Sequence, residues 1–215
     1  MRVDRRSERH VHTREEIVAA ALAVMTEAGA GGLSLGEVAR RVGMRTPSLY
    51  EYFGSKLALV DEIFRRGWED LGFHTAPLLE RALALPDDQL AADLGARLSE
   101  AATTLVAWTQ AHQASAQVMF WRPIPGFVPS AESILASSVL VDQGRRLFAD
   151  LVRRGLLVGD VDEMTGGWTT TVSGVVSQQL ANEPEAAPGT GRFIGLIPSL
   201  TDTFLARFGI GRRRR

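Results

Sequence analysis

The chain has 215 residues, 45% of them hydrophobic and 23% charged, enough apolar material for one large domain or a small one joined to a larger one. It contains no cysteine, which excludes disulfides and thiolate metal sites. No run approaches the roughly 18 apolar residues of a membrane span, and the Arg-rich start lacks the apolar core of a secretion signal, so the expectation is a cytoplasmic protein.

The net charge of −1 carries no hint of nucleic acid, but its distribution carries a little. Residues 1–66 hold 11 Lys/Arg against 9 Asp/Glu, and residues 67–215 hold 13 against 16. Five of the first 14 residues are arginine (Arg2, Arg5, Arg6, Arg9, Arg14), and Arg212 to Arg215 close the chain. Taken alone, both ends read equally well as solvated tails.

Residues 1–12 are polar and read as a flexible basic arm. Thr13 is a good N-cap, and Ile17, Ala21, Val24 and Ala28 recur at helical spacing until Gly29 stops the helix. Ser34-Leu-Gly-Glu37 fits a capping box, with Ser34 as cap and Glu37 reaching back. Leu35, Val38, Ala39 and Val42 give this second helix a buried face, and Gly43 suits a positive φ. Thr46-Pro47 restarts a helix, Thr46 as cap and Pro47 in the first turn. Leu49 and Phe53, four apart, face inward, and Ser55 caps the next helix. Leu57, Val60, Phe64, Trp68 and Leu71 form one stripe, predicting a helix from about 56 to 73.

Pro77 and residues 85–88 then punctuate the chain. An Ala-rich helix fits 88–112, with Leu90, Leu94, Leu98, Leu105 and Trp108 on one side. Residues 119–130, with three prolines and a glycine, cannot be regular helix. Ile134, Val141, Leu147, Phe148 and Leu151 carry a helix from Ser130 or Ser133 to about Arg154. Another starts at Asp160 or Asp162 and runs to about Asn182, with Met164, Trp168, Val172, Val175 and Gln179 on a face. The last runs from about 192 to 208. With no convincing strand or repeat, the chain reads as all-α, with about nine helices.

The segment from Thr13 to Gly72 resembles the TetR family of bacterial transcriptional repressors. The resemblance rests on the capped first helix, the Gly-rich turn, LGEVARRVGM, SLYEYF and the Ser55-Lys56 helix start, in that order and spacing. It implies a three-helix helix-turn-helix domain over 13–56, a connecting helix over 57–73 and a ligand-binding and dimerisation domain over 74–211; the closing arginines read as a basic tail over 212–215. Many members have Ser where Arg45 stands. The RPIPGF segment and the Trp168 to Gly174 pattern are similar to ligand-binding domains of an actinobacterial-type branch; that branch often has His where Ser173 stands, and no ligand contact is carried across.

In a helix-turn-helix the first residues of the second helix meet base edges while flanking groups hold phosphates. The DNA-binding candidates are therefore Ser34, Arg45, Thr46, Pro47, Ser48, Tyr50, Tyr52 and Lys56. Lys56 is the only lysine in the chain. It sits at a helix N-terminus, where a cation opposes the dipole unless an anion such as a phosphate is near. Candidates for lining a small-molecule pocket are Trp108, His112, Met119, Phe120, Trp121, Phe127 and Trp168, because the Pro-rich break can border a cavity. Arg122 beside that break could neutralise an acidic ligand or be a surface arginine. A two-fold dimer interface is expected at Val172, Val175, Gln179, Ile197, Leu200 and Phe204. His10 and His12 have no third ligand nearby, so no metal site is expected.

No enzyme constellation is visible: the four histidines are scattered, and HExxH, P-loop and GxSxG motifs are absent. The reading is a homodimeric repressor that binds a palindromic operator and is released by an unknown small-molecule effector, with no other cofactor. A helical ligand-binding protein without operator binding is the alternative.

Overall fold

The computed structural model describes residues 5–209, with side chains from residue 8 onward. The proposed positions 1–4 of the arm, and the tail 212–215, lie outside the described residues. Those described form nine α-helices and no strand beyond one isolated bridge between Leu157 and Gly209. The helices are α1 (Arg5–Ala28), α2 (Leu35–Arg41), α3 (Thr46–Leu49), α4 (Lys56–Leu83), α5 (Asp87–Ala111), α6 (Gln113–Ala116), α7 (Ala131–Arg153), α8 (Val161–Asn182) and α9 (Ile197–Phe208). None of them is long and apolar enough to cross a membrane.

The chain divides into two compact units. One comprises residues 1–67 and 113–136, the other residues 68–112 and 137–215. The first joins α1 to α3 and the start of α4 with α6 and the Pro-rich segment. Its core is Ile17, Ala21, Met25, Val38, Leu49, Phe53, Leu59, Ile63 and Phe64. The segment after α6 forms a π-helical turn at Gln117–Trp121 and then a loop, as three prolines require. It is fastened by named bonds. The Ala30 amide donates to the Gln117 side chain at 3.2 Å, and the Ser130 amide donates to Asp61 Oδ1 at 2.9 Å. Phe127 meets Phe64 edge-on with centroids 5.7 Å apart. Gly67 is glycine because the Met119 thioether occupies the space a Cβ would need.

The second unit packs α5, α8 and α9 around two clusters. Leu90, Leu98, Phe148, Leu151, Met164, Phe204 and Phe208 form one; Ala102, Val106, Val172, Val175, Val176, Ile194 and Ile197 form the other. Two buried glutamines staple the loop before α9. Gln110 accepts from the Gly189 amide at 2.9 Å and donates to the Thr190 carbonyl at 2.8 Å. Gln179 accepts from the Phe193 and Ile194 amides and donates to Glu183.

Four elements differ from the sequence expectation. α1 begins at Arg5 rather than Thr13, so residues 5–12 are helical rather than an arm. α4 passes through Pro77 to Leu83 rather than stopping near 73. Pro inside a helix costs about 3 kcal/mol, but buried Leu71, Thr75 and Ala82 hold the helix on both sides of it. On α7, Ile134 and Val141 face solvent. At the start of the helix the inward position is Ser133, buried and with its hydroxyl donating to the Asp61 carbonyl, so the next residue, Ile134, points away. In α3, Arg45 rather than Thr46 occupies the cap position, with no side-chain cap bond, and Thr46 is the first helical residue.

Candidate nucleic-acid interface

Residues 34–56 place the recognition segment by packing it from behind. Ser34 caps α2, its hydroxyl accepting from the Glu37 amide at 3.5 Å. Glu37 does not reach back as the capping box implied. Its carboxylate accepts from Arg40 at 2.7 and 2.8 Å and from Arg41 at 2.8 Å. Arg41 also grips Glu27 of α1 at 2.6 and 2.9 Å, so the network fastens α2 to α1. The bonds from Arg40 and then Arg41 lower the Glu37 carboxyl to about 2. The spacing Glu37, Arg40, Arg41 was the sequence signal for this network, since residues three and four apart on a helix are neighbours.

Gly43 takes φ +69°, the left-handed turn that aims α3 away from α2. Leu49 and Phe53 are buried, at 0% and 2% exposure, and anchor the segment. Pinned on that side, it turns Arg45, Pro47 and Tyr50 to solvent, with Thr46, Ser48, Tyr52 and Lys56 half-buried. Ser55 caps α4, its hydroxyl accepting from the Ala58 amide at 3.0 Å, and so places Lys56 in the first turn.

Charge pairing separates these cations from their neighbours. Arg14, Arg40, Arg41, Arg65 and Arg66 are each tied to a carboxylate. Among the described residues, Arg45 and Lys56 have no such partner. Glu62 absorbs Arg65 at 3.0 Å and Arg66 at 2.7 Å; burial raises its carboxyl, but the two guanidiniums outweigh burial and leave it below the usual range. Tyr52 is held from outside the motif: the His10 ring stacks on it with centroids 4.7 Å apart. That contact was not legible from the sequence, because it needs α1 to continue back through residue 10.

The pocket candidates fall into both units. Trp108 of α5 is 6% exposed, and its indole donates to Asp70 Oδ2 at 2.7 Å. His112 stacks on Trp108 with centroids 4.5 Å apart. Met119, Phe120, Trp121 and Phe127 belong to the first unit, where Met119 and Phe127 are buried and Trp121 is 42% exposed. Arg122 is exposed, in the left-handed region at φ 47°, with its guanidinium 5.6 Å from the Phe64 ring centre. Trp168 borders a shallow apolar crevice in the second unit, enclosing about 10 Å³, with Ala102, Thr171, Val172, Val175, Ile197 and Leu200. Four of the residues expected at a dimer interface therefore line that crevice. Val172, Val175 and Ile197 are at the same time buried in the chain's own second cluster, leaving only Leu200 half-buried, and Gln179 and Phe204 are buried as well, Gln179 on the loop before α9 and Phe204 against Phe148, Trp168 and Phe208. Among the described residues no group of three or more His, Asp or Glu is placed to hold a metal ion.

A capped helix, a left-handed glycine turn and a short second helix packed from behind define a helix-turn-helix unit, here joined to a larger helical domain. Residues 17–63 match the model of the bacterial regulatory proteins of the tetR family. Over this segment the chain is similar to the DNA-binding domain of that family. An HTH-type transcriptional regulator of Mycobacterium tuberculosis is 25% identical over 162 residues, 74% of this chain; the chain spans 64% of that relative's length. Among solved structures, a protein of unknown function from Rhodococcus sp. RHA1 superposes with a TM-score of 0.72 at 21% identity, over 91% of this chain and 95% of that one. The transcriptional regulator FadR from Bacillus subtilis, in complex with stearoyl-CoA, superposes with a TM-score of 0.65 at 14% identity, over 89% and 97%.

Proposed function

We propose that the chain is a transcriptional repressor that binds a near-palindromic operator as a homodimer and is released by a small molecule. The observation that carries the reading is the pattern of charge on the recognition segment. The neighbouring Arg40, Arg41, Arg65 and Arg66 are neutralised by carboxylates within the protein, whereas Arg45 and Lys56 have no carboxylate partner and stand near exposed Tyr50. Two cations left at a helix start without an internal anion suit an external one, and DNA phosphate supplies it. Arg45, Thr46, Pro47 and Ser48 then read bases, while Ser34, Tyr50, Tyr52 and Lys56 fix the backbone register.

The dimer places the α8–α9 crevice of one protomer against its counterpart. Support comes from its apolar lining, with Trp168 and Leu200 only half-buried, and from the small residues Gly166, Gly167, Thr170 and Gly174 on the exposed face of α8, which allow close approach. Two recognition segments at a spacing set by that interface match a two-fold operator.

Control by a ligand is supported by α4, which carries both Lys56 and Asp70. Both positions belong to α4, 14 residues apart in the chain. Asp70 holds the Trp108 indole, so a ligand that displaces Trp108 or its stacked partner His112 acts on the helix that starts at the DNA end. A coupling of about 1–3 kcal/mol, 5- to 150-fold, suffices for release. The chemistry is binding rather than turnover, in the cytoplasm where the operator lies.

The test is a gel shift against DNA from upstream of the chain's own coding sequence, comparing the native protein with the Tyr50→Phe, Lys56→Ala double variant. Binding by the native protein and a uniform loss in the variant across all sequences is the expected result. Equal binding by both removes the interface from this segment. No binding by the native protein favours the alternative, a helical ligand-binding protein without an operator.

A further inference from the structure

The recognition segment is held at its far end by an arginine of α1. Arg14 lies just before residues 17–63, which match the family, and its guanidinium makes three contacts at once. Nη1 donates to the Tyr52 carbonyl. Cζ lies over the Phe53 ring, 4.1 Å from its centre. Nη2 is 3.7 Å from Oε2 of Glu62 on α4. α1, the end of the recognition segment and α4 therefore meet on one side chain.

α3 is a single turn of four residues, Thr46–Leu49. So short a helix has little stability of its own, and its direction is set by what holds its ends. The buried side chains of Leu49 and Phe53 fix its depth, but burial is non-directional. A hydrogen bond to the Tyr52 carbonyl is directional and fixes the tilt. The geometry also asks for arginine. Lysine carries the same charge as a compact ammonium, which cannot donate along an edge, stack on a ring and face a carboxylate together. Glu62 takes Arg65 at 3.0 Å and Arg66 at 2.7 Å as well. The Arg14 link is the longest of the three, so Tyr52 and Phe53 supply the hold and Glu62 orients the guanidinium.

We propose that Arg14 is a positioning residue for DNA recognition: it touches no DNA itself and fixes the tilt of the recognition segment, so that Tyr50 and Tyr52 meet the duplex. The inference rests on the DNA-binding reading above. It adds a residue outside the helix-turn-helix on which that reading depends.

The test uses the full chain labelled with fluorotyrosine. Tyr50 and Tyr52 are its only tyrosines, so both fluorine resonances report on this segment, and Tyr50→Phe assigns them. In the free protein, Arg14→Lys and Arg14→Met are expected to shift or broaden the Tyr52 resonance. Binding is then read by anisotropy on a fluorescent duplex of about 30 base pairs, from about 50 to 200 mM salt. Both variants are expected to lose affinity by about tenfold, the worth of one hydrogen bond to a charged group. The slope of log K against log salt should stay native. Circular dichroism melts check that each variant is folded at the binding temperature, and Arg14→Lys serves if Arg14→Met is not. Unmoved resonances, or native affinity in the folded variants, overturn the positioning role. A slope flatter by about 0.9 per protomer in Arg14→Met overturns it too, because it marks a direct phosphate contact. Native affinity in Arg14→Lys alone overturns the need for a planar guanidinium. If the native chain binds no duplex at any salt, the DNA-binding reading fails, while the resonances still decide whether Arg14 holds the segment.

Discussion

Replacing Gln179 by methionine probes how the loop before α9 is held. Gln179 is fully buried, and its amide oxygen accepts from the Phe193 and Ile194 amides at 3.2 and 3.3 Å. Its amide nitrogen donates to the Glu183 carbonyl and carboxylate at 3.4 and 3.3 Å. Gly191, at φ +126°, has no room for a Cβ because the Gln179 amide fills that space. Methionine keeps the volume and length of glutamine, so the cavity contribution is small and the hydrogen bonds are isolated. Two backbone N–H groups lose their acceptor, at about 1–3 kcal/mol each when left buried. The bonds are long and Phe193 is only half-buried, which places the sum at the low end, about 2–4 kcal/mol. Urea unfolding at fixed protein concentration should show the midpoint falling with an unchanged m-value. Hydrogen exchange should speed at the Phe193 and Ile194 amides. A loss under about 0.5 kcal/mol, the scatter of surface substitutions, would refute the claim that this side chain anchors the loop.

Two further outcomes follow from the network on α2 and from the crevice. The Glu37 carboxyl lies at about 2 in the folded chain against 4.5 unperturbed, so its stabilising effect is present above about pH 4.5 and is lost as pH falls toward 2. The melting temperatures of native protein and Glu37→Gln should therefore differ at pH 7 and converge between pH 4.5 and 2; a constant gap would show that Glu37 acts by packing. Leu200→Arg puts a charge at a half-buried position bordering the apolar crevice, whereas Phe204 is buried. Light scattering should show monomers with native circular dichroism, and a persisting dimer would place the interface elsewhere. Phe204 is unsuited to that test, because its ring is buried against Phe148, Trp168 and Phe208, and a charge there would unfold the chain.

The helix-turn-helix segment was legible because it is written in local rules. Ser34 caps, Gly43 turns left-handed, Leu49 and Phe53 fall four apart, and Ser55 caps the next helix, each decided within a few residues. Helix number and the all-α class followed from periodicity for the same reason. What lay beyond the sequence depended on long-range partners. Pro77 ends a helix by local propensity, yet burial of Leu71, Thr75 and Ala82 carries α4 through it. The aromatics of 119–127 mark an apolar site, but only tertiary contacts show Met119 against Gly67 and Phe127 on Phe64, in the unit that carries the helix-turn-helix. His10 read as part of a polar tail until the fold set it on Tyr52. The sequence alone determined where the chain turns and which faces are apolar, because caps, glycines and periodicity act within one or two turns. Only the tertiary structure decided which apolar face meets which and which arginines remain unpaired, because those depend on residues dozens of positions apart.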